Sequence, residues 1–550
     1  GWHKEQFETE AGQREFWEML ELQIGQALDA FARDHLTGGI EQSFFAGETS
    51  KGLRLLEIMA QRYDIVVTNP PFLDGRDMND QLKTLVGGTY PLAKRNLYAP
   101  FLIRCHEFCK PSGYYGLITG QTFMFIKTFE QFRNWITHNA KIQSLLQFDY
   151  GLFYGVRVDT AAFVLCREED PNVRENAVGT YFRLVKEPDS EAKQRRFEEA
   201  ICHLSLVNSH LSLVNGPMTK DNGQRTNDQR QIIYRYRQGD FDAISGSPWV
   251  YWITPALRKA FENLPKLGEI AQPRQGLATA DNFRFLRYWW EAGIERISFG
   301  SNSANEALLT KRRWFPYMKG GSFRRWYGNQ DYVVNWEKDG KEICDYIDPK
   351  TNKTYSRPQN TPYYFRRGVT WSDLTSGRFS ARLSPGGFIF DVKGSSAFPE
   401  DISLVLGLLN SSFAHYALNL LNPTVSFQVG DLSRLPIPNT SSNTLRDLVD
   451  QAITLAKADS EDDETTWDFI APPDWPEGIQ KVAERHSQLA EIERRIDEEV
   501  YRLYGISNED RQAIEVELSD VNSPLSIEET EDPEDIEDNQ GQMTNDNGQM

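Results

Sequence analysis

Residues 63–72, YDIVVTNPPF, join an apolar run to a turn that cannot extend it. Asp64 to Thr68 form a near-continuous β-branched stretch, the pattern of a strand inside a covered sheet. Pro70 and Pro71 then fix φ and remove two backbone N–H groups, so neither a ladder nor a helix can pass through them. The strand must end at Asn69. Downstream, NLYAPFLIRCHEFCK reads as a helix and YYGLITG as a strand. TFEQFRNWI follows as a helix opened by a Thr128/Gln131 capping box, and TAAFVLC as another strand. This alternation predicts a parallel, doubly wound α/β sheet over residues 61–170.

In such a sheet ligands collect at the carboxyl ends of the strands, where Asn69 to Phe72 fall. The Asn69 side-chain oxygen and the Pro70 carbonyl offer two acceptors for the two hydrogens of an exocyclic amine. Holding both hydrogens draws the nitrogen toward sp³ geometry and turns its lone pair to an electrophile. Phe72 can stack on the flat ring that bears the amine. For a base in duplex DNA this demands extrusion from the helix, at a cost of a few kcal/mol that stacking helps offset.

Charge is unevenly distributed. Residues 508–550 hold fourteen acidic residues and one basic, a balance of −13 out of −19 for the chain. Residues 221–330 hold seventeen Lys and Arg against ten Asp and Glu. A basic middle fits an anion-facing surface, although a patchy surface with no polyanion partner has the same composition. Within it, PRQGLATADNFRFLRYWWE carries Arg274, Thr279, Asn282 and Arg284. KRRWFPYMKGGSFRRWYGNQDYVVNWEKDG carries Lys319, Arg324 and Arg325. YYFRRGVTWSDLTSGRFSARLSPGGFIFDVKGSSAF carries Arg366, Arg367, Thr370, Trp371, Ser372, Arg378 and Arg382. Cations interleaved with aromatic rings suit phosphate contacts and base-edge recognition, or else an aromatic β core with a charged rim.

NPPF after an apolar strand resembles the catalytic motif of amino-methyltransferases. The long strings GLATADNFRF, WFPYMKGGSFRRWYGNQDYVVNWEKDG, RRGVTWSDLTSGRFSARLSPGGFIFDVKGSS and VLGLLNSSFAHYALNLLNPTVSFQVGDLSRLPIP resemble the BREX phage-defence group of adenine-specific DNA methyltransferases. DISARM-type and Taq-type enzymes are wider relatives, and the resemblance spans about residues 60–505. It implies methyl transfer from S-adenosylmethionine to N6 of a flipped adenine, with double-stranded DNA and other defence proteins as partners. It assigns catalysis to Asn69, Pro70, Pro71 and Phe72, a wall beside the base to Phe153 and Tyr154, and cofactor contact to Asn69. It makes the cations and polar residues named above, from Arg274 to Ser372, the DNA-binding set.

The sequence also departs from the family. An Asp-x-x-x-Gly-x-Gly cofactor turn belongs upstream of the catalytic motif, and residues 1–60 hold none. With Gly1 in first position, the simplest expectation is that the front of the catalytic domain lies upstream. The chain alone is then a poor binder of S-adenosylmethionine. The alternative is a non-catalytic DNA-recognition scaffold of a defence complex. A glutamine-amide methyltransferase is a third reading, disfavoured by the long basic, aromatic half.

The expected organisation follows. Residues 1–60 are helical, with Phe16, Leu20, Ile24 and Leu28 on one stripe. Residues 61–170 hold the truncated Rossmann-like methyltransferase sheet and 171–245 a linker. A mixed α/β target-recognition domain covers 246–440, a helical segment 441–507 and an acidic disordered tail 508–550. Cys105, His106 and Cys109 share an apolar helix, a spacing of core packing more than of a metal site. Five cysteines in 550 residues and no ~20-residue apolar span point to a reducing cytoplasm without membrane insertion.

Overall fold

Asp64 to Thr68 do form a strand, β1 (Tyr63–Thr68), and it ends at Asn69. The computed structural model describes residues 58–148, 152–153, 158–211, 232–347, 354–374, 378–422, 426–474 and 477–519, with a few positions between 30 and 55. The stripe expected at Phe16 to Leu28 and the tail beyond residue 519 lie outside the described residues. The chain divides into two units, residues 1–124 with 128–241, and 125–127 with 242–550.

In the first unit β1 is followed by α1 (Asp80–Thr89), α2 (Tyr98–Phe108) and β2 (Cys109–Gly120). Next come α3 (Glu130–Asn139), β3 (Lys141–Gln147), β4 (Thr160–Cys166), β5 (Val178–Arg183), α4 (Ser190–Leu211) and β6 (Ile233–Arg237). The sheet order is β1-β2-β4-β3-β5-β6. It is mixed, not wholly parallel. β1/β2 and β3/β5 are parallel, whereas β4 runs antiparallel between β2 and β3, and β6 is antiparallel to β5. Consecutive antiparallel pairing of β3 and β4 needs no crossover helix, which is why the alternation breaks there.

Three expectations shift. Residues 171–245 are not a linker, because β5 and β6 extend the sheet, with Tyr181 and Phe182 buried and the Gln238 amide bonded to Ile142, Thr137 and Ala140. Thr128 does not cap α3, whose N-cap is Phe129 without a side-chain bond. Asn508–Ser519 form a helix with Ile514 and Leu518 buried, so these twelve residues are not the disordered tail expected from residue 508. The apolar expectation for β1 holds on one face only, since Ile65 and Val67 are 68% and 76% exposed.

The Cys105/His106/Cys109 group is packed as core. Cys105 and Cys109 are buried, and burial pushes both thiols up to about 11. The His106 ring lies edge-on to Tyr115 and Trp135, with Nδ1 3.1 Å from the Tyr115 hydroxyl. Its burial lowers it to about 4, helped by Arg167 and Arg174.

The second unit holds a four-stranded sheet, β12-β8-β9-β7, and a three-stranded one, β11-β10-β13. The strands are β7 (Leu286–Tyr288), β8 (Trp314–Met318), β9 (Tyr332–Asn335), β10 (Gly368–Trp371), β11 (Ala381–Ser384), β12 (Ile389–Phe390) and β13 (Ser396–Ala397). Leu277, Phe285, Phe315, Tyr317, Val334, Trp336 and Phe390 fill one core cluster. Gly276 lets the chain press against β12, since a Cβ there would sit 1.7 Å from the Phe390 carbonyl oxygen.

Among the helices that follow are α5 (Ile402–Leu409), α6 (Ser412–Leu421), α7 (Asn443–Glu461), α8 (Glu477–Tyr504) and α9 (Asn508–Ser519). α8 buries Ile492, Ile496 and Val500 at four-residue steps, as its periodicity requires. No single helix among the described residues is long and apolar enough to cross a membrane.

Two predictions follow from these cores. Asp431 and Arg434 form a buried pair at 2.7 Å, with Asn422 also donating to Asp431. Asp431→Ala strands the guanidinium and is expected to destabilise the second unit by about 3–5 kcal/mol, read by urea denaturation. For His106 the folded state favours the neutral ring. Its contribution to stability is therefore complete above the ordinary value of 6.5 and is lost as pH falls through about 4. His106→Gln should flatten the stability–pH curve of the first unit over that window; an unchanged slope would contradict the assigned burial effect.

Candidate nucleobase-amine site

The loop after β1 is held by backbone rather than by its own side chains. Leu97 donates its N–H to the Leu73 carbonyl (2.9 Å), and Gly75 donates to the Arg95 carbonyl (2.8 Å). Asp74 and Asn96 pair between them as an antiparallel bridge. A Cβ on Gly75 would meet the Lys94 carbonyl oxygen at 2.8 Å, so the approach needs glycine. This short zipper fastens Asn69–Phe72 to the start of α2. Asp74 also accepts from the Arg76 N–H and guanidinium, which hold its carboxyl below the usual carboxylate range.

Within the loop Pro70 is buried, Phe72 half-buried, and Asn69 and Pro71 exposed. Among the described residues the Asn69 side chain makes no hydrogen bond, and the Pro70 carbonyl accepts none. Two acceptors are thus unengaged at one strand end, as an incoming amine requires. The Phe72 ring meets Tyr98 edge-on, centroids 6.3 Å apart at 88°. Tyr98 is 2% exposed and stacks on Phe129 at 6.1 Å and 18°. Burial raises the Tyr98 phenol well above its ordinary value, so it stays neutral. Phe72 therefore rests on a rigid aromatic base, with its orientation fixed from behind.

Phe153 is half-buried in the β3–β4 connection, and Tyr154 lies outside the described residues. Asp64 is exposed at the other end of β1 and pairs with Lys110 at 3.0 Å, a contact that ties neighbouring strands. The acceptor side of an amine site fits these residues. Among the described residues no glycine-rich turn with an acidic partner follows a strand, so they do not form the cradle of a nucleotide-bearing methyl donor. Asn69 is the cofactor candidate that the described residues retain.

In the second unit the twelve expected DNA-facing residues divide by environment. Thr370 and Trp371 are fully buried in β10, the centre of its sheet. Their hydroxyl and indole donate to the carbonyls of Gly394 and Phe427. Ser372 donates to Gly321, and buried Thr279 donates to Asn282 at 2.6 Å. These four are occupied inside the fold, as is Asn282 through that bond. Arg284 pairs with Glu342 and Arg325 with Glu493. Arg274, Lys319, Arg324, Arg366 and Arg367 make no ion pair among the described residues. Arg274 and Arg366 both lie over the Tyr363 ring, at 5.4 and 5.1 Å, and Lys319 lies 5.2 Å over Tyr332. Tyr363 was not singled out by sequence, though its place just before Arg366-Arg367 was the available signal. Arg382 is fully buried, and its burial lowers the guanidinium to about 10.

The family model for Eco57I restriction-modification methylases matches residues 5–153, which include the Asn69–Phe72 loop. An adenine-specific methyltransferase PglX from Lacticaseibacillus casei (strain Zhang) is 32% identical over 86% of this chain and 39% of its own length. An adenine-specific methyltransferase BrxX from Escherichia coli O9:H4 (strain HS) is 31% identical over 80% of this chain and 33% of its own. The solved structure of the Type IIL restriction-modification enzyme MmeI in complex with DNA is similar at 11% identity and a TM-score of 0.47, over 86% of this chain and 58% of that one. The chain spans well under half the length of the two curated relatives. The mixed sheet carries its Asn-Pro-Pro-Phe strand end within the stretch that matches the restriction-modification methylase model, and over most of its length the chain is similar to the adenine-specific methyltransferases PglX and BrxX.

Proposed function

We propose that this chain carries the acceptor site and the target-recognition half of a site-specific DNA adenine N6-methyltransferase, with S-adenosylmethionine as the methyl source. The observation that carries it is the pair of unengaged acceptors at Asn69 and Pro70, beside a Phe72 ring braced by Tyr98. Asn69 and Pro70 take the two N6 hydrogens of an extruded adenine, and Phe72 covers the base, with Pro71 stiffening the loop. Phe153 and Tyr154 are assigned to the other side of the base. The site needs no strong general base, because the neutral amine attacks through its lone pair and loses its proton afterwards.

The second unit is the recognition half in this proposal. Arg274, Arg366 and Arg367, with Lys319 and Arg324, supply the phosphate-facing charge. Asn282, Thr279, Thr370, Trp371 and Ser372 shape the surface from within, while Arg284 lies on it paired with Glu342. The role is host-DNA marking in a BREX-type phage-defence system in the cytoplasm, alongside other proteins of that system.

The test is made in the source strain, with the substitution introduced into the full-length chromosomal gene so that no wild-type copy remains. Asn69→Ala is expected to remove a motif-specific N6-methyladenine signal by at least about 100-fold, the loss expected when transition-state contacts to the reacting amine are removed. Duplex binding by the purified enzyme should stay within about threefold, since phosphate contacts dominate affinity. Methylation unchanged in the variant would refute the Asn69 assignment. Equal loss of methylation and duplex binding would count against the role assigned to Asn69.

A further inference from the structure

Two consecutive arginines in the segment GSFRRWYGNQ, residues 321–330, are treated in opposite ways. Arg324 is exposed and makes no direct ion pair among the described residues, its charge acting on Asp331 and Asp463 only at longer range. Arg325 is drawn inward, with its side chain 18% exposed, and its guanidinium donates to Glu493 of α8 at 3.0 Å. The second oxygen of the same carboxylate accepts from the Trp326 indole N–H at 2.7 Å.

The segment is anchored at its base and unusual in its backbone. Trp326 is 1% exposed, donates its N–H to the Ala381 carbonyl, and accepts from Leu383 through its own. Gly320, Gly321 and Gly328 all have φ beyond +100°, and Trp326 itself sits at +70°. A side chain on Gly328 would run into Arg324, with a Cβ 2.4 Å from its Cδ. The backbone is thus committed to one tight turn that presents Arg324 outward.

Beside the turn lies a crevice of about 540 Å³, lined by Arg324, Arg325, Asp459, Asp462 and Glu493 among others. Asp459 and Asp462 are already paired with Arg485, at 3.2 and 2.5 Å. Asp463 also lines the crevice and feels Arg324 at longer range, and Glu493 is the crevice carboxylate that pairs directly with Arg325. A cation held by a carboxylate of its own chain must break that pair before it can neutralise a phosphate. Contacts that every sequence offers equally are weakened by such a pair, and discrimination between sequences rises.

We propose that Glu493 is a specificity-determining residue: it withholds Arg325 from DNA phosphates, so the turn grips through Arg324 alone until base-specific contacts favour releasing its neighbour. This rests on the reading of the second unit as the DNA-recognition half. Glu493→Gln is the informative change. The amide oxygen still accepts from Trp326, so the turn keeps its anchor while the charge that holds Arg325 is gone.

The experiment measures binding of the intact enzyme to a random-sequence duplex and to a duplex bearing its methylated motif, across a salt series. Glu493→Gln is expected to tighten random-duplex binding by about three- to tenfold and to steepen the log–log salt dependence by about 0.9, one phosphate contact. Binding to the motif duplex should change less, so the specificity ratio falls. Adding Arg325→Ala to Glu493→Gln should return the slope to the wild-type value. An unchanged slope in folded Glu493→Gln, or a gain that persists in the double variant, overturns the proposal while leaving the DNA-binding reading standing. Absence of duplex binding in every variant and in the wild type would overturn both.

Discussion

The amine site depends on a backbone constraint. Two prolines leave the end of β1 without donors, so the loop cannot be held by continuing its own ladder. It is held one step later, where Leu73 to Gly75 pair with Arg95 to Leu97. That pairing sets both halves of the pocket at once. It fixes how the Asn69 loop leaves the strand, and it starts α2 so that Tyr98 enters the core behind Phe72. In the proposed function, a rigid acceptor pair avoids much of the cost of ordering side chains on binding.

The second unit solves a different problem, which is how to keep many arginines in an aromatic domain without leaving all of them equally sticky. Some are neutralised by a neighbour, as Arg284 is by Glu342. Some are laid over rings, as Arg274 and Arg366 are over Tyr363. Arg382 is taken wholly inside, where burial weakens its hold on its proton. The arginines of this unit thus differ in how freely they can meet an outside anion.

That difference marks the limits of what could be read from residues. The strands β1, β2 and β4, the break at Asn69 and the long amphipathic α8 were legible because each rests on local periodicity or proline chemistry. The roles of Thr370 and Trp371 were not, because a central strand and a recognition loop can share the same aromatic and hydroxyl residues. Only the pairing of β10 with β11 and β13 shows them to be interior. Residues 171–245 were read as connective because acidic and basic residues diluted two short strands. In β6 the run Ile233-Tyr234-Arg235-Tyr236-Arg237 alternates as an edge strand does, with Tyr236 buried against Phe241. The site loop was legible in chemistry but not in support: nothing in YDIVVTNPPF announces that residues 95–97 will hold it.

The antiparallel strand in the middle of the sheet has a consequence for how the first unit holds together. β1 and β2 form one parallel pair, β3 and β5 another, and seven residues of β4 are the seam between them. Neither pair has a hydrogen-bonded neighbour in the other. Among the described residues, the loop after β1 would without Thr160–Cys166 sit on a two-stranded ribbon, a size that is marginal in water by itself. The loop after β1 is thus tied to the rest of the described sheet by a strand some ninety positions farther along the chain.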